Sequence, residues 1–267
     1  MCKVEPIEVR REVLHLGKGG VIKFEDSVVT EHPITIKING TEFVTLVCSP
    51  DYIADLVVGF LASEGIIRHF SDIEDLWIEE NAGITHVKTK RTNPYYQNFQ
   101  GKRYITSCCG ASRQGFVFIN DALTAKKLEK VRVRISSGEC FSLMKEMQQI
   151  STLFQKTGGV HNAALCQNGQ VYLSRMDIGR HNALDKLFGY CLRNSIPLED
   201  KILAFSGRIS AEILLKASKI GCEIVMSKSA PTELALKLAE QLGITTIGFI
   251  RNDSLNVYTG LERVYFH

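Results

Sequence analysis

Residues 201 to 250 read KILAFSGRIS AEILLKASKI GCEIVMSKSA PTELALKLAE QLGITTIGFI, and the order of apolar runs and glycines in them decides the fold. Lys201 to Phe205 is a short apolar strand. Ser210 to Ile220 has helical periodicity and stops at Gly221, Cys222 to Ser227 is a second strand, Pro231 to Leu242 a helix stopped by Gly243, and Ile244 to Ile250 a third strand. Strands alternating with helices over short links predict a largely parallel sheet covered by helices, with ligands favoured beyond the carboxyl ends of its strands. Those ends are Ser206-Gly207-Arg208, Ser227-Lys228-Ser229 and Phe249 to Ser254.

Upstream, Ala163 to Gln167 and Gln170 to Ser174 flank Asn168-Gly169, a two-residue hairpin signal, and Asn182 to Leu192 is helical. A periodicity through Phe141, Met144, Met147 and Ile150 predicts a helix from Gly138 to the Gly158-Gly159 pair. The first part of the chain is richer in strands. From Val21 to about Lys90, Ile34 to Ile38 and Thr41 to Val47 flank Asn39-Gly40, a helix runs through Leu56, Phe60 and Leu61 to Glu64-Gly65, and Leu76 to Lys90 forms a hairpin around Asn81-Ala82-Gly83. Arg91 to Lys102 is a polar loop, expected to be mobile, that leads to the sequence Thr106-Ser107-Cys108-Cys109-Gly110.

The chain has 267 residues, 45% hydrophobic and 23% charged, enough for one large or two moderate domains. A formal charge of +3 is too weak to predict a nucleic-acid binder, and no apolar run reaches the roughly 20 residues that span a bilayer. With no apolar leader, the eight cysteines at 2, 48, 108, 109, 140, 166, 191 and 222 are expected to be reduced and cytoplasmic. No Cys-x-x-Cys occurs, so a structural zinc or iron-sulfur centre is not expected.

Adjacent thiols before a glycine are poorly explained as a structural bridge. Consecutive α-carbons lie about 3.8 Å apart, whereas a disulfide prefers roughly 4.4 to 6.8 Å. Cys108 and Cys109 on a glycine-bounded turn instead fit nucleophilic sulfur, unless both are buried and inert. Three polar clusters accompany them: Gly158 to Asn162; Arg175 to Lys186, in which Asp177, Arg180 and His181 crowd a glycine turn; and Phe249 to Ser254, where Arg251 and backbone N-H groups fit phosphates or a guanine edge. Asp185 and Lys186 read as the solvated start of a helix. A hydrolase with Cys109 attacking and His161 or His181 as base competes with these readings, while zinc-dependent base deamination is excluded because His-x-Glu and Pro-Cys-x-x-Cys are absent.

Taken together the clusters resemble the FdhD family of formate dehydrogenase accessory proteins. The resemblance runs from about Pro33 onward through Asp55 to Ile67, Thr106-Ser-Cys-Cys-Gly110, Thr157-Gly-Gly-Val-His161, Asp177 to Lys186, Phe205-Ser-Gly-Arg208, Ser229-Ala-Pro-Thr232 and Asn256-Val-Tyr-Thr-Gly260. It implies a cytoplasmic sulfur carrier, a sulfurtransferase that takes persulfide sulfur from a cysteine desulfurase and passes it to the molybdenum bis-guanine-dinucleotide cofactor of formate dehydrogenase, that cofactor being bound as substrate. A cofactor-binding chaperone without covalent sulfur transfer is the alternative.

The resemblance also implies an α/β fold, α+β overall, with a β-rich first domain over 1–105, a cysteine loop and linker over 106–137, and a domain similar to cytidine deaminases over 138–267, assembled as a homodimer without nucleic-acid or membrane partners. Matched by position, the family's first loop cysteine falls on Cys109, the persulfide carrier, and its second on Ser112. Cys108 is then a possible helper, with Arg113 or Lys102 stabilising the Cys109 thiolate. Cofactor binding falls to Phe249, Ile250, Arg251, Asn252, Asp253 and Ser254, helped by Arg180, His181 and Arg208, with no metal held by the protein.

Overall fold

The computed structural model describes residues 5–90, 125, 127–128 and 130–266, together with the backbone of 103–105. The expected loop at Arg91 to Lys102 lies outside the described residues. The chain opens with a two-stranded ribbon that pairs with no other sheet, β1 (Glu8–Gly17) and β2 (Gly20–Val29). The next strands, β3 (His32–Ile38) and β4 (Thr41–Cys48), turn at Asn39 and Gly40, whose φ of 49° and 83° are the left-handed values a tight hairpin requires. With β5 (Ile73–Glu79), β6 (Ile84–Thr89) and β7 (Arg103–Ile105) they make a five-stranded sheet of order β5-β6-β3-β4-β7. Alternate residues Ile34, Ile36 and Ile38 bury one face of it.

That face is covered by α1 (Ile53–Ser63), in which Leu56, Val57, Val58 and Leu61 are all fully buried. A helix apolar around its circumference must be covered on more than one side. Its other side meets α4 (Arg180–Arg193), with Gly59 and Gly189 at the crossing. A Cβ on Gly59 would lie 1.8 Å from the Asp185 carbonyl oxygen, and one on Gly189 would lie 1.8 Å from that of Asp55. Only glycine permits this approach.

The second half is built on a six-stranded sheet. Its strands are β9 (His161–Gln167), β10 (Gln170–Asp177), β11 (Ile202–Phe205), β12 (Ile224–Ser227), β13 (Thr245–Arg251) and β14 (Ser254–Thr259), in the order β10-β9-β11-β12-β13-β14. The expectation of a largely parallel sheet holds only for its centre: β11, β12 and β13 run parallel, while β9, β10 and β14 are joined antiparallel. Every residue of β11 and β12 is buried, as befits strands covered on both faces. One face carries Cys140, Leu143, Met144 and Met147 of α2 (Ser137–Ile150); the other carries α4, α5 (Ala211–Ile220) and α6 (Glu233–Leu242). The result is three layers, with α4 continuing the core onto α1 and the first sheet.

The single helix expected from Gly138 to Gly158 is two. Ser151 leaves helical geometry (ψ 69°) and donates to the Asn162 side chain at 2.5 Å, so that α3 (Thr152–Thr157) starts anew. Ile150, read as part of the apolar face, is 43% exposed beside this break. Returning from the cysteine segment, the chain is pinned by Glu223, which accepts from the Arg132 backbone N-H and the Arg263 guanidinium, and by a short parallel pair, β8 (Ile135–Ser136) with β15 (Val264–Tyr265).

Asp185 and Lys186 are not solvated: they are 1% and 0% exposed. The reason lies in partners distant in sequence. Lys186 pairs with Asp177 at 2.8 Å and Asp51 at 2.6 Å, and Asp185 accepts from Lys216 and Ser63. Asp55 of α1 likewise holds Arg175 and Arg193. Charges removed from water persist only when paired in this way, so these pairs tie α1 to α4 and β10. Burial pulls the Lys186 ammonium down, but Asp177 and Asp51 beside it hold it above the usual lysine range.

Candidate functional site

Because β11, β12 and β13 are parallel, their carboxyl ends share one edge of the sheet. The antiparallel β9 brings its first residue, His161, to the same edge, and β10 ends there at Asp177. Asp177 is buried. It accepts from the Ser49 and Gly179 backbone N-H groups and the Asn182 side chain, which fixes the turn that starts α4 at Arg180. Asp177 is therefore a buried organiser of the turn, whereas Arg180 and His181 reach the edge.

A cleft of about 480 Å³ opens at this edge, lined by Ser206, Lys228, Ser229, Arg251 and Asn252. Its size is that of a small-molecule site. Its walls are braced: the Ser227 hydroxyl donates to the Gly207 carbonyl at 2.7 Å and accepts from the Ser229 N-H, while Phe249 N-H donates to the Ser229 carbonyl. Gly248 fits between them, since a Cβ there would come within 3.1 Å of the Ser229 carbonyl oxygen and the rings of Pro231 and Tyr258.

The segment Phe249 to Ser254, read as a loop leaving a strand, is the tip of the β13-β14 hairpin. Phe249 and Asn252 adopt left-handed φ of 51° and 46°. The Phe249 ring is partly exposed, with the Arg251 guanidinium 5.7 Å from its centre, and Ser254 closes the turn onto the Arg251 carbonyl. Asp253 is exposed. Ile250 faces the other way: at 1% exposure it belongs to the core with Met226 and Ile247, because the left-handed Phe249 and the register shift between Gly248 and Arg251 reset the alternation of the strand. Arg251 and Asn252 are thus the members of this segment that line the cleft.

Arg180 packs over Gly207, and its Nε donates to His181 Nε2 at 3.4 Å; His181 in turn lies 3.3 Å from the Glu212 carboxylate. Arg208 is exposed on the same edge. His161 Nδ1 is 3.4 Å from the Ser206 hydroxyl, and burial, aided by Arg180, holds the imidazole below its usual pKa. Lys228 is also held below the usual lysine range, first by burial and then by repulsion from Arg251. Its Nζ donates to Gln148 Oε1 at 2.6 Å. Two cations are therefore held together without a carboxylate lining the cleft, beside two hydroxyls and an amide, which is a donor set for phosphate oxygens and a base edge.

Ser206, Lys228 and Ser229 were legible only as strand ends and not as candidate binding residues. Gln148 carried no signal, because its place depends on how α2 crosses the sheet. Among the described residues no cluster of three His, Cys, Asp or Glu is placed to hold a metal ion, and no helix is long and apolar enough to cross a membrane.

Cys108 and Cys109, with Ser112, Arg113 and Lys102, lie outside the described residues. Before them, Ile105 of β7 pairs with Leu46 of the parallel β4, so the chain leaves the sheet at the end where β4 reaches Cys48 and Ser49. The five described cysteines, 48, 140, 166, 191 and 222, are all buried and unbridged. Burial raises every one of these thiols, Cys191 to about 11 and Cys140 and Cys166 to about 12. None of the five is a thiolate at neutral pH.

Comparison with known proteins places this architecture. The model of the FdhD/NarQ family matches residues 29–265. A relative from Shouchella clausii named sulfur carrier protein FdhD is 51% identical over 259 residues, 97% of either chain. One of the same name from Bacillus subtilis is 54% identical over 254 residues, 95% of this chain and 96% of the relative. A crystal structure from Desulfotalea psychrophila, described as a formate dehydrogenase accessory protein, shares the fold with a TM-score of 0.78 at 23% identity, covering 97% of this chain and 100% of its own. The chain belongs to the FdhD/NarQ family.

Proposed function

We propose that this protein is a sulfur carrier for formate dehydrogenase, a sulfurtransferase that works through a persulfide on Cys109. The observation that carries the reading is the exclusion of the other thiols: five of the eight cysteines are buried and held protonated, so carrier chemistry falls to those outside the described residues, Cys2, Cys108 and Cys109. Of these, Cys109 matches the family's carrier position.

In the loading step the Cys109 thiolate attacks the outer sulfur of a persulfide on a cysteine desulfurase. The donor S-S bond breaks, the donor thiol sulfur leaves with its electron pair, and a new S-S bond forms on Cys109 without net oxidation. The outer sulfur would then pass to the molybdenum bis-guanine-dinucleotide cofactor, which is cargo: the S-S bond on Cys109 breaks, the Cys109 thiol is regenerated, and a thiol reductant supplies the two electrons that bring the sulfur to the sulfide level. Lys228, Arg251, Ser206, Ser229 and Asn252 would hold a guanine nucleotide end of that cargo, because the cleft supplies paired cations and neutral donors. Mutual repulsion of Lys228 and Arg251 is relieved when a phosphate lies between them. The protein works as a homodimer, and its second half is built on the cytidine deaminase plan without the zinc.

Substitution in the chromosomal gene, with formate dehydrogenase activity as the readout, tests this. Cys109→Ala should abolish formate dehydrogenase activity while Cys108→Ala retains most of it; full activity of the Cys109 variant overturns the carrier and leaves a chaperone.

A further inference from the structure

The wall of the cleft at Ser206 is continuous with the start of β9. The Ser206 hydroxyl oxygen accepts from the Asn162 backbone N-H at 3.0 Å and lies 3.4 Å from Nδ1 of His161, while the residue itself lines the cleft. A serine hydroxyl has one proton and two lone pairs, so three directions are available to it, and two of them are taken inside the wall. What Ser206 shows a ligand in the third direction is decided by His161. Beside a neutral imidazole the hydroxyl is free to donate inward to Nδ1 and to turn a lone pair to the cleft. Beside an imidazolium, which carries a proton on both nitrogens, Nδ1 must donate. Both lone pairs of Ser206 are then occupied, and its proton must point into the cleft.

The charges around His161 are unbalanced. Arg180 of α4 opposes its protonation, Lys228 and Arg251 line the cleft beyond Ser206, and Arg208 is exposed on the same edge. The carboxylates of this edge are engaged elsewhere: Asp177, opposite His161 in the β9-β10 register, is paired with Lys186, and Glu212 faces His181 at 3.3 Å. Half-buried among cations, the His161 ring is neutral near pH 7. A phosphate in the cleft reverses both arguments. Its charge offsets that of Arg180, Lys228 and Arg251, and its free oxygens only accept hydrogen bonds, so they require the Ser206 proton turned outward.

We propose that His161 is a positioning residue for the nucleotide end of the cargo: phosphate in the cleft draws one proton onto the His161 ring, which donates from Nδ1 to Ser206 Oγ and so aims the Ser206 hydroxyl at the phosphate. The proton comes from solvent and returns there on release, and no covalent bond to a heavy atom changes. The inference deepens the cofactor-binding reading above and rests on it for the identity of the anion. By linkage, binding tightens as pH falls from the ligand-bound pKa of His161 to the lower value of the free protein, with a slope of at most about tenfold per pH unit for one proton.

Calorimetric titration with guanosine diphosphate mannose tests this, because both of its phosphates are diesters whose charge is constant near neutral pH. In buffers of different ionisation enthalpy, the wild type should take up protons on binding, to a limit of about one per ligand, and its affinity should rise several-fold from about pH 8 to about pH 6. His161→Gln should bind without proton uptake and with nearly constant affinity over this range. Ser206→Ala, which keeps the ring but removes the hydroxyl between it and the phosphate, should lower the uptake and weaken binding by roughly three- to tenfold. Wild-type binding without proton uptake, or uptake undiminished in His161→Gln, overturns this inference and leaves the cleft as a nucleotide site. A wild-type chain that does not bind the probe overturns the cleft reading and this proposal with it.

Discussion

Replacing Arg251 by glutamine keeps a polar side chain with an amide donor, though a shorter one, and removes the charge from the cleft shared with Lys228. Hydrogen bonds to charged groups contribute about 1.5–3 kcal/mol, and a guanidinium can grip a phosphate through two of them. Losing that grip should raise the dissociation constant for guanosine diphosphate, the probe for the cofactor's nucleotide end, by roughly ten- to hundredfold. The same substitution removes the repulsion that helps hold Lys228 below the usual lysine range. Arg251 is exposed and supports no core contact, so the fold should not suffer. The expected signature is therefore weaker binding by calorimetry together with a melting temperature equal to or above that of the wild type. A variant that binds within about twofold of wild type, or that loses binding and melts earlier, refutes the assignment of Arg251 to an anion site.

Gly189→Ala should drive α1 and α4 apart, because the new Cβ would fall 1.8 Å from a backbone oxygen; overpacking of this kind costs about 1–3 kcal/mol or more, a fall of several degrees in melting temperature, and an unchanged melt would contradict the crossing. Lys186→Met leaves Asp177 buried without its cation and should destabilise by roughly 3–5 kcal/mol in urea unfolding, with Asp177→Leu in the same chain restoring part of the loss. The Lys228 ammonium, lowered by burial and Arg251, deprotonates earlier than an ordinary lysine as pH rises. Guanosine diphosphate affinity should accordingly decline on the alkaline side before the usual lysine pKa of about 10.4, and Lys228→Arg should move that decline to higher pH; constant affinity throughout would refute the contact.

What the sequence made legible was local. Asn39-Gly40 and Asn168-Gly169 announce hairpins because both residues of each turn need left-handed φ, and Gly221 and Gly243 end α5 and α6 for the same reason. The antiparallel flanks of the second sheet were not legible, since nothing in β9 itself names β11 as its neighbour. The strand from Glu8 escaped because charged residues at 10, 11 and 12 interrupt its apolar pattern. Strand-end reasoning reached most of the cleft, placing Ser206, Lys228, Ser229, Arg251 and Asn252 on one edge before any coordinates. It failed for Ile250, whose face is set by the irregular step at Phe249 in β13, and for Asp185 and Lys186, whose partners Lys216 and Asp51 lie 31 and 135 residues away.

The carrier itself is most directly tested by mass. The protein with Cys108→Ala, incubated with a cysteine desulfurase and cysteine and then digested without reductant, should gain one sulfur atom on the peptide carrying Cys109, and the five buried cysteines should gain none. Sulfur found on a buried cysteine, or none on Cys109 while formate dehydrogenase still matures, would contradict the account.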